Sequence, residues 1–156
     1  MIRGEPRKRI RTVARALELG INYFDTAPSY GDGQSESNLG KVLKELGSEA
    51  YVGTKIRVSG EERKDLKNYL IGSVEDSLNR LDREYVDLLQ IHNPITIHPS
   101  PSQGSLTVGD VLGDVVEAFQ LLQVQGKIRF FGITALGDTE SLHQVIEAGA
   151  LDTVQA

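Results

Sequence analysis

The stretch Leu66-Lys-Asn-Tyr-Leu-Ile-Gly-Ser-Val-Glu-Asp-Ser-Leu-Asn-Arg-Leu-Asp-Arg-Glu-Tyr-Val-Asp-Leu-Leu-Gln-Ile-His92 decides the fold. Its first part places Leu66, Tyr69, Leu70, Val74, Ser77, Leu78 and Leu81 at the i, i+3, i+4, i+7 spacing of a helix with one buried face. Its second part, Val86 to His92, is a nearly continuous apolar run, the pattern of a strand covered on both faces. Parallel strands need a crossover between them, so a helix feeding such a strand reads as one unit of a parallel sheet.

The same alternation extends outward in both directions. Upstream, Ile10, Val13, Ala14 and Leu17 share a helical face that Gly20 closes as a C′ glycine, and a strand follows over Ile21 to Asp25. Ser35 to Leu46 reads as a second helix ended by Gly47, and Tyr51 to Lys55 as the next strand. Downstream, Pro94 to Thr107 holds three of the chain's five prolines and is expected to be a long loop. Val111, Val115, Phe119 and Leu122 mark a helix stopped by Gly126, and Ile128 to Thr134 is a strand. Thr139 is expected to cap a helix carrying Leu142, Val145 and Ile146, and Thr153 to Ala156 begins one more strand. Such repetition implies parallel strands joined by right-handed crossovers. Two architectures satisfy it: part of a (β/α)8 barrel, which in full takes about 250 residues, and a flavodoxin-like open sheet of five strands.

Composition narrows the chemistry. The chain has 156 residues, 17 Lys plus Arg against 22 Asp plus Glu, and a formal net charge of −5, so it lacks the basic footprint of a nucleic-acid binder. The one basic run, Arg7, Lys8, Arg9 and Arg11, reads as the solvated face of the first helix. With no cysteine, disulfide scaffolds, thiolate zinc sites and cysteine nucleophiles are excluded. No apolar stretch approaches the roughly 18 residues of a membrane span, and the N-terminus has no apolar core of a secretory signal. A soluble, cytoplasmic protein is expected.

Each strand ends in a polar or charged residue: Asp25, Lys55, His92, Thr134 and Gln155. In parallel α/β folds the C-terminal ends of the strands are where ligands bind and chemistry is done. A carboxylate, an ammonium and an imidazole could converge there. Tyr30 lies in the turn-rich segment Thr26-Ala-Pro-Ser-Tyr-Gly-Asp-Gly33 that leaves the Asp25 strand. An ammonium beside a phenol favours the phenolate, which would make such a tyrosine a proton donor and acceptor nearer neutral pH. The competing structural readings are a self-neutralising Asp25–Lys55 pair, a satisfied core histidine at His92 and a packing role for Tyr30. No HxH, HExxH, GxGxxG or GxxxxGK[ST] pattern occurs, so no metal site, Rossmann fingerprint or P-loop is expected.

The stretches Gly20-Ile-Asn-Tyr-Phe-Asp-Thr-Ala-Pro-Ser-Tyr-Gly31, Ser35-Glu36 with Leu39-Gly40, Gly53-Thr-Lys55, Leu78-Asn-Arg-Leu-Asp82 with Tyr85-Val-Asp-Leu-Leu-Gln-Ile-His92, Gly126-Lys-Ile-Arg129 with Phe131-Gly-Ile133, and Val154-Gln155 together resemble the aldo-keto reductases across almost the whole chain. The resemblance implies that residues 1–156 form a single incomplete (β/α)8 domain of about five strand–helix units. The first strand, the last two units and the C-terminal tail of the family fold would lie outside this chain, and the chain alone is then expected to be a poor or inactive enzyme. The implied activity is NADP(H)- or NAD(H)-dependent interconversion of a carbonyl (aldehyde, ketone or sugar) and an alcohol. The resemblance assigns catalysis to Tyr30, Lys55, Asp25 and His92. Tyr30 would be the general acid/base, Lys55 held by Asp25 would tune it, and His92 would orient the carbonyl. It assigns Asp25, Thr134 and Gln155 to cofactor binding, although Ala135 stands where the family often carries a further carboxamide contact. The implied partner is a small carbonyl or alcohol substrate, with neither nucleic acid nor membrane. The alternatives are a non-catalytic nucleotide-binding regulatory subunit and an inactive truncated remnant.

Overall fold

The computed structural model describes residues 4–98 and 104–156. Helix α1 (Pro6–Glu18) starts with proline at its N-terminus, where the missing N–H costs nothing. It ends in a Schellman motif: the Gly20 N–H donates to the Leu17 carbonyl and the Ile21 N–H to the Ala16 carbonyl. That bond occupies the Ile21 amide, so strand β1 is Tyr23–Asp25 and begins two residues later than the apolar run suggests. There follow α2 (Gln34–Glu45), β2 (Tyr51–Ile56), α3 (Leu66–Leu81) and β3 (Val86–Ile91). Helix α4 is continuous through Val108–Asp110, a π turn at Val111–Val115, and Val116–Val124. Strand β4 (Ile128–Thr134), helix α5 (Thr139–Glu147) and strand β5 (Thr153–Gln155) complete the order.

All neighbouring strands are parallel and the sheet order is β1-β2-β3-β4-β5. This order separates the two architectures left open by the sequence. A doubly wound sheet reverses its strand order at a switch point, whereas successive strands of a (β/α)8 barrel simply continue round the barrel. The five strands form a curled half-barrel, a partial (β/α)8 fold.

Helices cover one face. Val52, Ile56, Leu89, Ile91 and Ile133 from the sheet pack with Leu39, Leu70, Val74, Leu81, Phe119 and Val145 in one buried cluster, and Phe119 meets Phe131 edge-on at 5.6 Å. The opposite, concave face carries the alternate residues, paired in register as Asp25 with Gly53, Lys55 with Gln90, and Thr134 with Gln155. Tyr23, Tyr51 and Phe130 on the sheet remain 39%, 48% and 53% exposed. A Cβ at Gly53 would collide with the Tyr23 phenol, and one at Gly132 with the Thr153 carbonyl, so both glycines are required by close approach.

Three expectations need correction. Thr139 does not cap α5; Asp138 occupies the N-cap, and its carboxylate accepts instead from the Ile97 N–H at 3.0 Å. Lys55 does not end β2, which runs one residue further to Ile56, and β3 ends at Ile91 with His92 just beyond it. The His92 N–H still donates to the Ile56 carbonyl at 2.8 Å, so the ladder extends by one bond. In the proline-rich loop, positions 99–103 lie outside the described residues. On either side of them the backbone is ordered by a bridge between Ile95 and Leu106 and by a Thr107/Asp110 capping box.

Two helix glycines are expected to respond in opposite directions. A Cβ at Gly40 in α2 would run into the Leu81 backbone at the end of α3, whereas Gly72 in α3 has open space around it. Gly40→Ala should destabilise by about 1–3 kcal/mol through forced separation of the two helices. Gly72→Ala should stabilise by about 0.5–1 kcal/mol by restricting the unfolded chain. Urea unfolding followed by far-UV circular dichroism measures both.

Candidate active site

The segment between β1 and α2 is folded by its own turns. The Tyr30 N–H donates to the Ala27 carbonyl, the Gly33 N–H to the Pro28 carbonyl and the Ser35 N–H to the Tyr30 carbonyl. Side chains then fasten this segment to the strands. The Thr26 hydroxyl donates to the Ser35 hydroxyl at 2.9 Å, and the Thr54 hydroxyl donates to the Glu36 carboxylate at 2.6 Å. Glu36 is fully buried and also accepts from Arg80 Nε at 2.6 Å, while Arg80 donates to Ser77. A buried carboxylate is tolerable only when paired in this way.

Inside that frame Lys55 is only 3% exposed. Its ammonium donates to Asp25 Oδ2 in an ion pair, and to the Thr26 carbonyl at 3.3 Å. It also lies 5.5 Å from the centroid of the Tyr30 ring, within cation–π range. The structure therefore brings Asp25, Lys55 and Tyr30 together.

His92 approaches them from just past the end of β3. With Lys55, Arg57, Asp32 and the α3 residues Tyr69 and Ser73 it lines a cavity of about 230 Å3. Burial, reinforced by the Lys55 ammonium and the Arg57 guanidinium, holds the His92 imidazole below its ordinary value of about 6.5, and the Asp25 carboxylate opposes the shift. Below Lys55 on the concave face, Tyr23 behaves oppositely. Burial first, then the Asp25 and Asp87 carboxylates, push its phenol up to about 12, so it stays protonated.

Of the residues expected at the site, Lys55 and His92 line this cavity, whereas Asp25, Tyr30, Thr134 and Gln155 do not; Thr134 and Gln155 stand on β4 and β5 along the same rim. The Thr134 hydroxyl donates to the Ile91 carbonyl at 3.1 Å, which ties β4 to β3 and leaves the oxygen able to accept. Gln155 is exposed.

Three contributors escaped the sequence reading. Asn93 is completely buried; its side chain bonds both backbone groups of Val58 and the Gly104 carbonyl, holding the segment after β2 to the loop after β3. Its signal was an asparagine placed between His92 and Pro94. Glu36 was visible as part of a Ser-Glu pair, but its buried bonds to Thr54 and Arg80 depend on tertiary contact. Arg57 stands two residues beyond Lys55, just past β2, and shares the cavity lining with it.

The profile of the aldo/keto reductase family matches residues 3–155. The chain belongs to this family. Among curated relatives, L-galactose dehydrogenase from Arabidopsis thaliana is 38% identical over 130 residues, covering 81% of this chain and 38% of that protein. A putative voltage-gated potassium channel subunit beta from Schizosaccharomyces pombe is 33% identical over 141 residues, covering 83% of this chain and 36% of its own. The solved glycerol dehydrogenase from Gluconobacter oxydans superposes with a TM-score of 0.72 at 32% identity, covering 97% of this chain and 46% of that one. An aldo/keto reductase from Klebsiella pneumoniae, solved with NADP and acetate, shares the fold at a TM-score of 0.73 and 23% identity, covering 99% and 50%. The chain thus spans half or less of the length of these relatives. Among the described residues no helix is long and apolar enough to cross a membrane, and no group of three or more His, Cys, Asp or Glu could hold a metal ion.

The donor set on β4 and β5 fits a nicotinamide carboxamide. Gln155 offers an exposed amide with both a donor and an acceptor, and the Thr134 oxygen retains acceptor capacity.

The direction of the His92 shift sets a pH dependence. The unfolded imidazole takes a proton near pH 6.5, and the folded one only at lower pH. The His92 contribution to stability is therefore full above about 6.5 and is lost as the pH falls through the folded midpoint. Proton NMR of the imidazole C2–H, assigned with His92→Gln, should give a midpoint below 6.5, and Lys55→Met should raise it.

Proposed function

We propose that the aldo/keto reductase site of this chain serves an NADP(H)- or NAD(H)-dependent oxidoreductase that interconverts a carbonyl and an alcohol. The observation that carries this reading is the buried Lys55 ammonium, paired with Asp25 and set beside the Tyr30 ring. A buried ion pair contributes little to stability compared with apolar packing, so its place at the strand ends is better explained by chemistry.

Asp25, Thr134 and Gln155 would hold the nicotinamide end of the cofactor. When bound, the cofactor supplies or accepts the hydride. The chain's own residues manage the proton and the geometry. Tyr30 gives its phenolic proton to the carbonyl oxygen in reduction and takes it back in oxidation. Lys55, held in place by Asp25 and the Thr26 carbonyl, stabilises the phenolate that forms. His92, neutral near pH 7, orients the carbonyl oxygen toward Tyr30.

A second reading is favoured by one observation, the similarity to a protein named as a potassium channel beta subunit: the site binds nucleotide and the protein serves in an assembly. One substitution separates the two. In the full-length polypeptide, Tyr30→Phe should lower the rate of carbonyl reduction by about 10²–10⁴. Binding of NADPH, followed by its fluorescence, should change less than about twofold. Unchanged reduction in that variant would remove Tyr30 from the chemistry. NADPH binding with no reduction of any aldehyde or ketone by the unsubstituted protein would favour the assembly reading.

A further inference from the structure

We propose that the cavity over His92 selects a carbonyl substrate that also carries a carboxylate, with the Arg57 guanidinium as its anchor. Arg57 follows the last residue of β2, and it lines the cavity together with Lys55 and His92. The two cations differ in one respect. Lys55 is neutralised by Asp25. Arg57 has no side-chain hydrogen bond or ion pair among the described residues; only its backbone carbonyl is engaged, accepting from the Tyr69 hydroxyl at 3.2 Å. Other arginines around the fold are occupied: Arg63 by Asp110 and the Ser105 carbonyl, Arg80 by Glu36, Arg83 by the Ala50 carbonyl, Arg129 by Asp87. A guanidinium left unpaired on a cavity wall is matched in geometry to a carboxylate, which it binds in a two-pronged fashion.

The charge felt inside the cavity agrees. Besides burial, the Lys55 and Arg57 charges both disfavour a proton on His92, and Asp25 opposes them. Asp32 is the opposing carboxylate on the lining, at the rim formed by the Tyr30 segment, and it forms no ion pair with Arg57. It disfavours a second negative charge, so a monocarboxylate suits the cavity better than a dicarboxylate. The volume of about 230 Å3 admits a compound of a few carbon atoms. With its carboxylate on Arg57, a short oxo acid would direct its oxo group toward His92 on the same lining.

The oxo group in this inference rests on the carbonyl-reductase reading, but the carboxylate anchor can be measured without turnover. The probes are butyrate and its neutral isostere butyramide, titrated into the full-length protein while the His92 C2–H resonance is followed by NMR. Butyrate should bind and raise the His92 midpoint, and butyramide should do neither. Arg57→Gln, a change at an exposed position, should weaken butyrate binding about tenfold, the loss expected for a charge-assisted hydrogen-bonded pair. Equal binding of the two probes, or equal butyrate binding by the two proteins, overturns the proposal. So does an Arg57→Gln protein that loses NADPH affinity but keeps butyrate affinity, because Arg57 would then hold a cofactor phosphate. In turnover with NADPH, the preference in kcat/KM for 4-oxopentanoate over 2-pentanone should fall about tenfold in Arg57→Gln, and an unchanged preference also overturns it. Intact butyrate binding in a protein that reduces no carbonyl defeats the reductase reading and leaves the anchor standing.

Discussion

The rim of the sheet depends on a buried ammonium. Lys55 gives up nearly all its hydration, and an ion taken out of water without a partner costs several kcal/mol. The Asp25 carboxylate and the Thr26 carbonyl supply what water no longer does. This requirement draws the end of β1 against β2 and fixes where the segment bearing Tyr30 must leave the sheet. It also explains Gly53, whose missing side chain makes room for the Tyr23 phenol beneath the pair. His92, just past the next strand, is held below its ordinary value by burial first and then by this same charge.

The opposite face of the sheet holds this arrangement rigid. Thr26 and Thr54 neighbour Asp25 and Lys55 in sequence, and their hydroxyls bond Ser35 and Glu36 at the start of α2. Arg80 carries the connection to α3. Asn93 does the equivalent work one strand further on, joining Val58 to Gly104. Polar groups on the helix side thus bond one element to another, while the side chains of Tyr30, His92, Arg57 and Gln155 make no hydrogen bond among the described residues. Residues that are fully satisfied position; residues that are incompletely satisfied can bind.

Much of this is legible in the sequence, for identifiable reasons. The α3 face was read residue by residue, because a 3.6-residue period is written directly into the order of apolar side chains. Gly20 was read as a helix stop because the left-handed conformation after a helix strongly favours glycine. Asp25, Lys55 and His92 were legible as polar residues within one residue of a strand end because charge is conspicuous beside apolar neighbours. The errors fell where a side chain had two possible uses. Thr139 is a good capping residue, yet Asp138 holds the N-cap while its carboxylate bonds the Ile97 amide forty-one positions away, a contact no local pattern announces. Arg57 was passed over for a similar reason, since an arginine just past a strand is ordinarily solvated or paired.

By itself the order of residues determined the alternation of helix and strand, the parallel sense of the sheet and the chemical types gathered at the strand ends. These follow from short-range periodicity and from the handedness of crossovers, both carried by neighbours along the chain. It did not determine whether five strands open into a doubly wound sheet or curl toward a barrel, because both use the same local units. The consecutive strand order decided that. Only the tertiary structure, too, decided which charges are compensated. Lys55 and Arg57 are close to equivalent in sequence, two cations at the end of one strand. One meets Asp25 across thirty residues of chain, and the side chain of the other meets no partner among the described residues, because pairing depends on distance in space and the chain must fold before that distance exists.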